Sequence, residues 1–575
     1  TAGPCSPAPG GGAVAGPPHR GLSCPAAPAC WAPPATTSRR STTAPSVTPP
    51  AAPCTRTLSP AFSLATDTGF MVQVNVTAAG LNIVGDAANE PSIAIDPTAP
   101  NRMVIGWRQF DSITSNFRQA GYAWSNDGGR SWHFPGVFTP GFFRSDPIVE
   151  TDAAGNFYYN SLPDQTAGWH CQVFKSPDGG QSWGPPVEAN GGDRAWMAID
   201  KSGGIGQGNL YDHWNASFSC CGPANFGRDT TGNTAPWIAT QLPSNPGLAT
   251  IAVGPSGEVY VAGSSGSNVR VMRSDNAQNA ALTPTFPLSI NVAMGATVLP
   301  SFAGNPDGAS GQVWVDVNRS NGAARGHVYI CATAGPFGAD PSDVRFRRST
   351  DNGATWSTAV RINDDAQAAN HYQWFPSMSV APNGRIDVTW NDTRNSLSSS
   401  MSQLFYSYSN DEGVTWSPNV ALTPLWDSTI GWPQQNKIGD YYDQESDDVG
   451  LSIALSATFN GEQDVYYLRV NDNDCNRNGI PDAIDLAGGT LHDCNGNGIP
   501  DECERAAGIT VVCPCYPNCD GSSTAPVLNV LDFACFLNRF AAGDAYANCD
   551  QSTTPPVLNV LDFACFLNAF AAGCS

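Results

Sequence analysis

The residues best suited to chemistry lie near the C-terminal end, where acidic and amide side chains alternate. In DNDCNRNGIPDAID, Asp474, Asn476, Asn478, the Ile480 carbonyl, Asp482 and Asp485 fall at positions 1, 3, 5, 7, 9 and 12 of one loop, with Gly479 at position 6. DCNGNGIPDECE repeats this register with Asp493, Asn495, Asn497, Ile499, Asp501 and Glu504 around Gly498. Clustered hard oxygens with a glycine at the mid-loop turn are what a calcium ion requires, so Ca2+ is the expected cofactor. Two near-identical segments follow, NCDGSSTAPVLNVLDFACFLNRFAAG and NCDQSTTPPVLNVLDFACFLNAFAAG. They offer Asp520, Ser522, Thr524, Asn529 and Asp532, then Asp550, Ser552, Thr554, Asn559 and Asp562, as further oxygen donors. Ala or Pro stands where such a loop takes glycine, and Cys519/Cys535 and Cys549/Cys565 are spaced to staple each copy. His133, His170, His213, His327 and His371 show no metal-ligand spacing, so zinc is not expected. The vicinal Cys220 and Cys221 are expected to pair with Cys171 or Cys331.

The elements that carry these residues follow from a repeat. SNDGGRSW (125–132), SPDGGQSW (176–183), STDNGATW (349–356) and SNDEGVTW (409–416) all obey S-x-D-x-G-x-[ST]-W. The gap between the second and third fits three periods of roughly 58 residues, and eroded copies occur at Arg228-Asp229 to Thr234 and at Arg273-Ser274-Asp275. Ahead of each copy lies a pair of apolar-alternating runs around a tight turn, as in PIVETDAAGNFYYNSL and MSVAPNGRIDVTWND. Strand pairs begin near Glu90, Asp146, Arg194, Leu248, Gln312, Trp374 and Asp440. The chain is therefore expected to be mainly β, a seven-bladed propeller with six blades as the alternative. Its last blade would be completed by Phe70 to Thr77, removing the open sheet edges. Small and acidic side chains can hold their own turn, Gly permits positive φ, and Trp fills space between blades.

Those turns resemble the Asp-box, or BNR, repeats of sialidases, sortilin-type receptors and secreted bacterial propellers. The resemblance covers about 400 residues and implies fold more than activity. In a sialidase-like site it would imply Arg108, Arg194 and Arg394 as a carboxylate clamp, Tyr441 or Tyr442 as nucleophile, and Asp146 as acid. The Phe/Tyr-Arg-Ile-Pro segment that precedes the first box of sialidases is absent. The acidic loops are EF-hand-like and resemble thrombospondin type 3 repeats. The duplicated tail resembles a dockerin, which implies a cohesin-like or cell-surface anchoring partner.

The expected organisation is a disordered Pro/Ala-rich segment (1–60), the propeller (69–471), calcium loops (472–512) and a duplicated helical repeat (513–575). A net charge of -22 excludes nucleic acid as a partner and suits cations or a soluble glycan. No apolar run is long enough to span a membrane. The 18 cysteines fall in even groups, which points to disulfides and an extracellular or cell-surface location. The opening residues lack the basic flank and apolar run of a signal peptide, implying its removal or a displaced start. The leading expectation is a propeller that binds an extracellular glycan or surface polymer and is anchored through its tail. The alternatives are a sialidase-like glycoside hydrolase and a structural surface or matrix protein.

Overall fold

The computed structural model describes residues 58–66, 69–163, 168–396, 398–471, 482, 485–486, 491–493, 500–506, 517–520, 527–549, 552 and 556–572. Seven antiparallel sheets follow one another, each laid out mainly as a meander from an innermost strand outwards. The innermost strands are Ala87–Ile95, Arg144–Thr151, Trp196–Ile199, Gly247–Val253, Trp314–Val317, Gln373–Val380 and Asp443–Ser446. Each contacts the next, and Asp443–Ser446 contacts Ala87–Ile95, so the ring is closed. The fold is a seven-bladed β-propeller; six blades are excluded. Gly69–Gln73 pairs with Asp464–Val470 through Phe70↔Arg469 and Met71↔Leu468, so the amino-terminal side supplies an outer strand of the seventh blade. That strand ends at Gln73 rather than Thr77, and Ser63–Thr66 and Leu58–Pro60 lie ahead of the expected start at 69. The segment expected to be disordered lies, up to residue 57, outside the described residues.

Burial explains why the strands read as they do. Second strands such as Met103–Phe110, Phe157–Pro163 and Val328–Gly335 are buried at every position, because neighbouring blades cover both faces. Third strands, for example Asp343–Ser349, alternate towards the rim. The core is accordingly split among the seams: Val74, Ile105, Trp107, Trp132 and Tyr467 pack together between the seventh and first blades. Side chains also tie the innermost strands to one another. Ser92 Oγ donates to Asp443 Oδ2 (2.7 Å) and accepts from Val149 N–H (3.0 Å), linking three blades. Thr250 Oγ1 accepts from Val315 N–H (2.9 Å), and Asp316 Oδ2 from Val380 N–H (2.8 Å). These contacts satisfy backbone groups that no ladder reaches.

The repeated S-x-D-x-G-x-[ST]-W turns all connect a third strand to a fourth. In the first, Ser125 Oγ donates to Asp127 Oδ1 (2.7 Å) and accepts from Gly129 N–H (3.0 Å), while Asp127 accepts from Ser131 N–H (3.0 Å). The eroded copy that begins at Arg228-Asp229 keeps this logic: Asp229 Oδ2 accepts from Asn233 N–H (2.7 Å), and Trp237 Nε1 donates to Asn233 Oδ1 (3.0 Å).

Helices Val530–Ala542 and Val560–Ala572 form the small C-terminal helical region, with Phe536 stacked on Phe566 at 4.0 Å. The expected Cys519–Cys535 and Cys549–Cys565 bonds are present.

Candidate functional site

Each blade begins with a backbone kink. Glu90 (φ 53°), Asp146 (φ 49°), Arg194 (φ 57°), Leu248 (φ 50°) and Phe375 (φ 52°) occupy the left-handed region, and Gly311 and Gly439 do so in the other two blades. A non-glycine residue held there costs about 1 kcal/mol or more and is kept where the surroundings demand it. Register shifts between Asn89 and Ser92, Gly247 and Thr250, and Trp374 and Ser377, and opposite Asp146 between Asn160 and Leu162, show that four of the kinks are bulges. Bulges re-aim side chains, and here three of the kinked residues, Glu90, Asp146 and Arg194, are charged and meet at one end of the channel.

Glu90 Oε2 pairs with Arg108 Nε at 2.9 Å and Glu90 Oε1 with Lys437 Nζ at 3.3 Å. Lys437 also reaches Asp440 Oδ2 (2.9 Å), which Arg194 Nη2 approaches at 3.5 Å. Asp146 Oδ2 accepts from Arg194 N–H (2.8 Å), and its Oδ1 from Ser145 Oγ (2.5 Å). Arg118 Nε in turn donates to Ser145 Oγ (2.8 Å). Arg108 and Glu90 are buried, whereas the Arg194 side chain is 29% exposed. Arg108 Nη2 is buried without a hydrogen-bond partner.

The cluster sets carboxyls apart. Burial outweighs Arg108 and Lys437 and raises Glu90 to about 7. Asp193, beside Arg194, is raised by burial to about 6. At Asp440 burial pulls the other way but loses to Lys437, Arg194 and Arg108, which hold the group far below its usual range. Burial, reinforced by Arg108, lowers Arg118 to about 10.

Of the expected site residues, Arg108, Arg194 and Asp146 converge. Arg394 does not: it binds Asp392 (2.8 Å) and Asp364 (2.6 Å) and lies over the Phe405 ring. The third arginine at the channel end is Arg118. Tyr441 is buried, donates to the Pro147 carbonyl (2.9 Å), and has its phenol pushed well up by burial and then by Glu90. Tyr442 is buried too and donates to the Ser456 carbonyl. Neither hydroxyl is presented as a nucleophile. Arg118 and Lys437 lay outside the expected set. The signals that could have found them are a second arginine ten residues after Arg108 and a lysine three residues before Asp440.

Below the charged end the channel is filled. Trp196 stands edge-on to both Trp314 and Tyr441, each at 5.2 Å. Beyond this plug, at the opposite end, is a cavity of about 450 Å³ lined by Trp196, Trp314, Glu150, Lys201, Asp316 and Arg319 among others. Its cations are already paired, Lys201 with Glu150 (3.5 Å) and Arg319 with Asp316 (2.7 Å).

Cys220 and Cys221 are bonded to each other, so the expected pairing with Cys171 or Cys331 is corrected: both of those are free, buried thiols. They lie on strands of the second and fifth blades, and burial pushes both thiols up.

Among the expected calcium ligands, Asp474, Asn476, Asn478, Ile480, Asn495, Asn497, Ile499 and Asp550 lie outside the described residues. Asp482, Asp485 and Asp501 are buried carboxylates, Asp493 is half-buried, and Glu504 is in the short helix Asp501–Ala506. In the tail, Asp532 accepts from the N–H groups of Asn529 (2.8 Å) and Asp520 (3.2 Å), and Asp562 from that of Asn559 (2.8 Å). Asp532 thereby completes a capping box with Asn529. Among the described residues no three His, Cys, Asp or Glu side chains form a group that could hold a metal, and no helix is long and apolar enough to cross a membrane.

No protein-family model matches the chain, and a search of curated proteins returns no match. Solved structures do align with it. A protein of unknown function from Dyadobacter fermentans is 12% identical at a TM-score of 0.38, covering 70% of this chain and 97% of that one. The α-L-arabinofuranosidase Arb93A of Fusarium graminearum is 12% identical at 0.36, covering 71% and 99%. The leech intramolecular trans-sialidase is 11% identical at 0.35, covering 53% and 64%. At these scores the likenesses carry no argument about activity, and the propeller rests on the closed ring of sheets described above.

Proposed function

We propose that this protein binds an acidic glycan at the charged end of the propeller, taking a sugar carboxylate on Arg118 and Arg194. The observation that carries this reading is the convergence of Arg108, Arg118 and Arg194, with Arg194 partly open to solvent and Arg108 Nη2 unpaired. Arginine forks match a carboxylate, and a hydrogen bond to a charged group contributes about 1.5–3 kcal/mol. The opposite cavity supports the reading less well, since it offers one lysine and one arginine, each paired with a carboxylate, in place of three convergent arginines. Binding is favoured over hydrolysis through a tyrosine because both candidate hydroxyls are buried and bonded to carbonyls.

Calorimetric titration with N-acetylneuraminate, galacturonate, glucuronate and neutral galactose tests it. One of the acids binds, and Arg118→Ala or Arg194→Ala weakens it by about 10-fold or more, as loss of one charged hydrogen bond requires. Equal binding of neutral galactose, or no binding of any acid, sinks the reading. Turnover of a fluorogenic sialoside would transfer the protein to the hydrolases.

For the remaining regions, the S-x-D-x-G-x-[ST]-W turns are read as Asp boxes and the chain as extracellular, in keeping with its disulfides. Residues 474–485 and 493–504 are proposed to hold Ca2+, for which their carboxylate and amide oxygens suit a hard cation. The tail is proposed as a dockerin-like anchor for a cohesin-like or surface partner; Val530, Leu531, Val560 and Leu561 stand exposed at matching places in its two copies. Calcium titration of the full chain, with Asp474→Ala and Asp493→Ala each expected to remove one site, tests the metal assignment.

A further inference from the structure

In a blade of four antiparallel strands, alternate connections lie at opposite ends. The link between the second and third strands of the third blade therefore shares an end of the propeller with Asp193 and Arg194. It is tied down there. Asp193 N–H donates to the Phe218 carbonyl (3.0 Å), Asn215 N–H to the Asp193 carbonyl (3.0 Å), Ser219 Oγ to the Gly191 carbonyl (2.6 Å), and Cys220 N–H to the Trp169 carbonyl (2.7 Å). This anchored loop nevertheless holds apolar groups out to solvent: Phe218 is 56% exposed, Cys220 is exposed, and Cys221 and Trp169 are half-buried.

The loop closes an arc. Arg118 lies 4.9 Å over the Phe143 ring, Phe143 packs on Trp169 at 5.7 Å, and Trp169 meets Cys220, whose loop runs back to Asp193 and Arg194. An apolar collar thus joins the two arginines of the proposed carboxylate site. The bond between adjacent cysteines makes a small ring with little rotamer freedom left to lose on binding, which is how a pre-organised contact surface gains affinity. A pyranose ring has the complementary shape, with hydroxyls at its edge and an apolar C–H face, and sites of this kind combine aromatic walls with a few placed polar groups.

We propose that residues 215–221, with their Cys220–Cys221 bond, and Trp169 form a second subsite, which receives the apolar face of a sugar ring linked to the acidic sugar. The inference rests on the acidic-glycan reading above, so the experiment separates the two. Full-length protein is titrated with N-acetylneuraminic acid and 3′-sialyllactose, and with galacturonic acid and trigalacturonic acid.

The trisaccharide of the recognised acid binds more tightly than its monosaccharide. Phe218→Ala, and separately Cys220→Ser with Cys221→Ser, each remove about five-fold of that advantage and leave monosaccharide affinity unchanged, as loss of one ring-stacking contact requires. An advantage that survives both variants overturns the subsite and leaves the arginine site standing. So does an equal weakening of both probes, which would mean that the loop only positions Asp193 and Arg194. Failure of every probe to bind the unaltered protein overturns the acidic-glycan reading and the subsite with it.

Discussion

Replacing Asp443 by alanine should loosen the propeller at its closing seam, and the size of the effect can be worked from the contacts. Asp443 Oδ2 accepts from Ser92 Oγ (2.7 Å) and Ile93 N–H (3.1 Å), and Oδ1 from Gln444 N–H (2.8 Å). The residue is 8% exposed, so water does not readily replace it. Alanine strands the Ser92 and Ile93 donors; at about 1–2 kcal/mol each, the loss is about 2–4 kcal/mol. A domain of roughly 400 residues unfolds with an entropy of about 0.8 kcal/mol/K, so the calorimetric midpoint falls by roughly 2–5 °C.

The pH dependence sharpens the test. Burial raises Asp443 from 3.8 to about 7. Between those values the folded state holds a proton that the unfolded chain releases, so this group's contribution is complete below pH 4 and is lost as pH rises to 7. The alanine variant lacks that contribution, and its deficit is therefore larger at pH 5 than at pH 8. A midpoint within about 1 °C of the unaltered protein at pH 5, or a greater deficit at pH 8, would refute the reasoning.

Three further outcomes follow from the same geometry. Gly129 sits at φ +83° against the Tyr467 ring, whereas Gly461, at φ +88°, has open space where an alanine methyl would point. Gly129→Ala should lower the midpoint well beyond Gly461→Ala, which bears only the backbone cost of about 1 kcal/mol, and equal shifts would deny the seam contact. Acidic-sugar affinity should rise as pH falls from 8 to 5.5, because protonating Glu90 (about 7) and Asp193 (about 6) leaves the arginines in excess; calorimetry in matched buffers reads the slope, and a flat profile counts against these groups facing the ligand. Arg394→Ala should leave sugar affinity untouched while lowering stability by about 3–5 kcal/mol, since buried Asp392 loses its cation; lost binding would return Arg394 to the site.

Much of the architecture was legible because the repeat is periodic. Residues named as unit starts, Glu90, Asp146, Arg194 and Leu248, are themselves the kinked positions, and Gln312, Trp374 and Asp440 adjoin the kinks at Gly311, Phe375 and Gly439. The closing strand was legible because Phe70 to Gln73 alternates and the last unit lacked a fourth strand. The arginine set was only partly legible, for a reason of register. Asn89 pairs with Arg108 in the first blade, and the matching pair in the sixth is Trp374 with Asn391. Arg394 is three residues beyond that position and meets Asp364 and Asp392 instead. Arg118 and Lys437 sit on connections outside the strands, where no alternation marks which way a side chain points. The Cys220–Cys221 bond was missed because cysteine count and spacing leave the connectivity open.

The plug at the channel's middle decides how any ligand must arrive. With Trp196, Trp314 and Tyr441 in edge contact, the charged end and the opposite cavity are separated by side chains and not by a solvent path. A polymer cannot thread the axis and must lie across the end of the propeller. The surface it meets there is made of connections, not strands: Gln434 donates to the Thr114 carbonyl, Asn436 N–H to Asp307 Oδ2 (3.0 Å), and the 215–221 loop is bound to Asp193. Long links clasped to one another in this way suit an extended ligand better than an enclosed one. The S-x-D-x-G-x-[ST]-W turns lie at the opposite ends of their blades, on the third-to-fourth strand connections, and so maintain the scaffold without touching that surface. Substituting within those turns should therefore alter stability and leave sugar binding alone, whereas changes among the connecting loops should do the reverse.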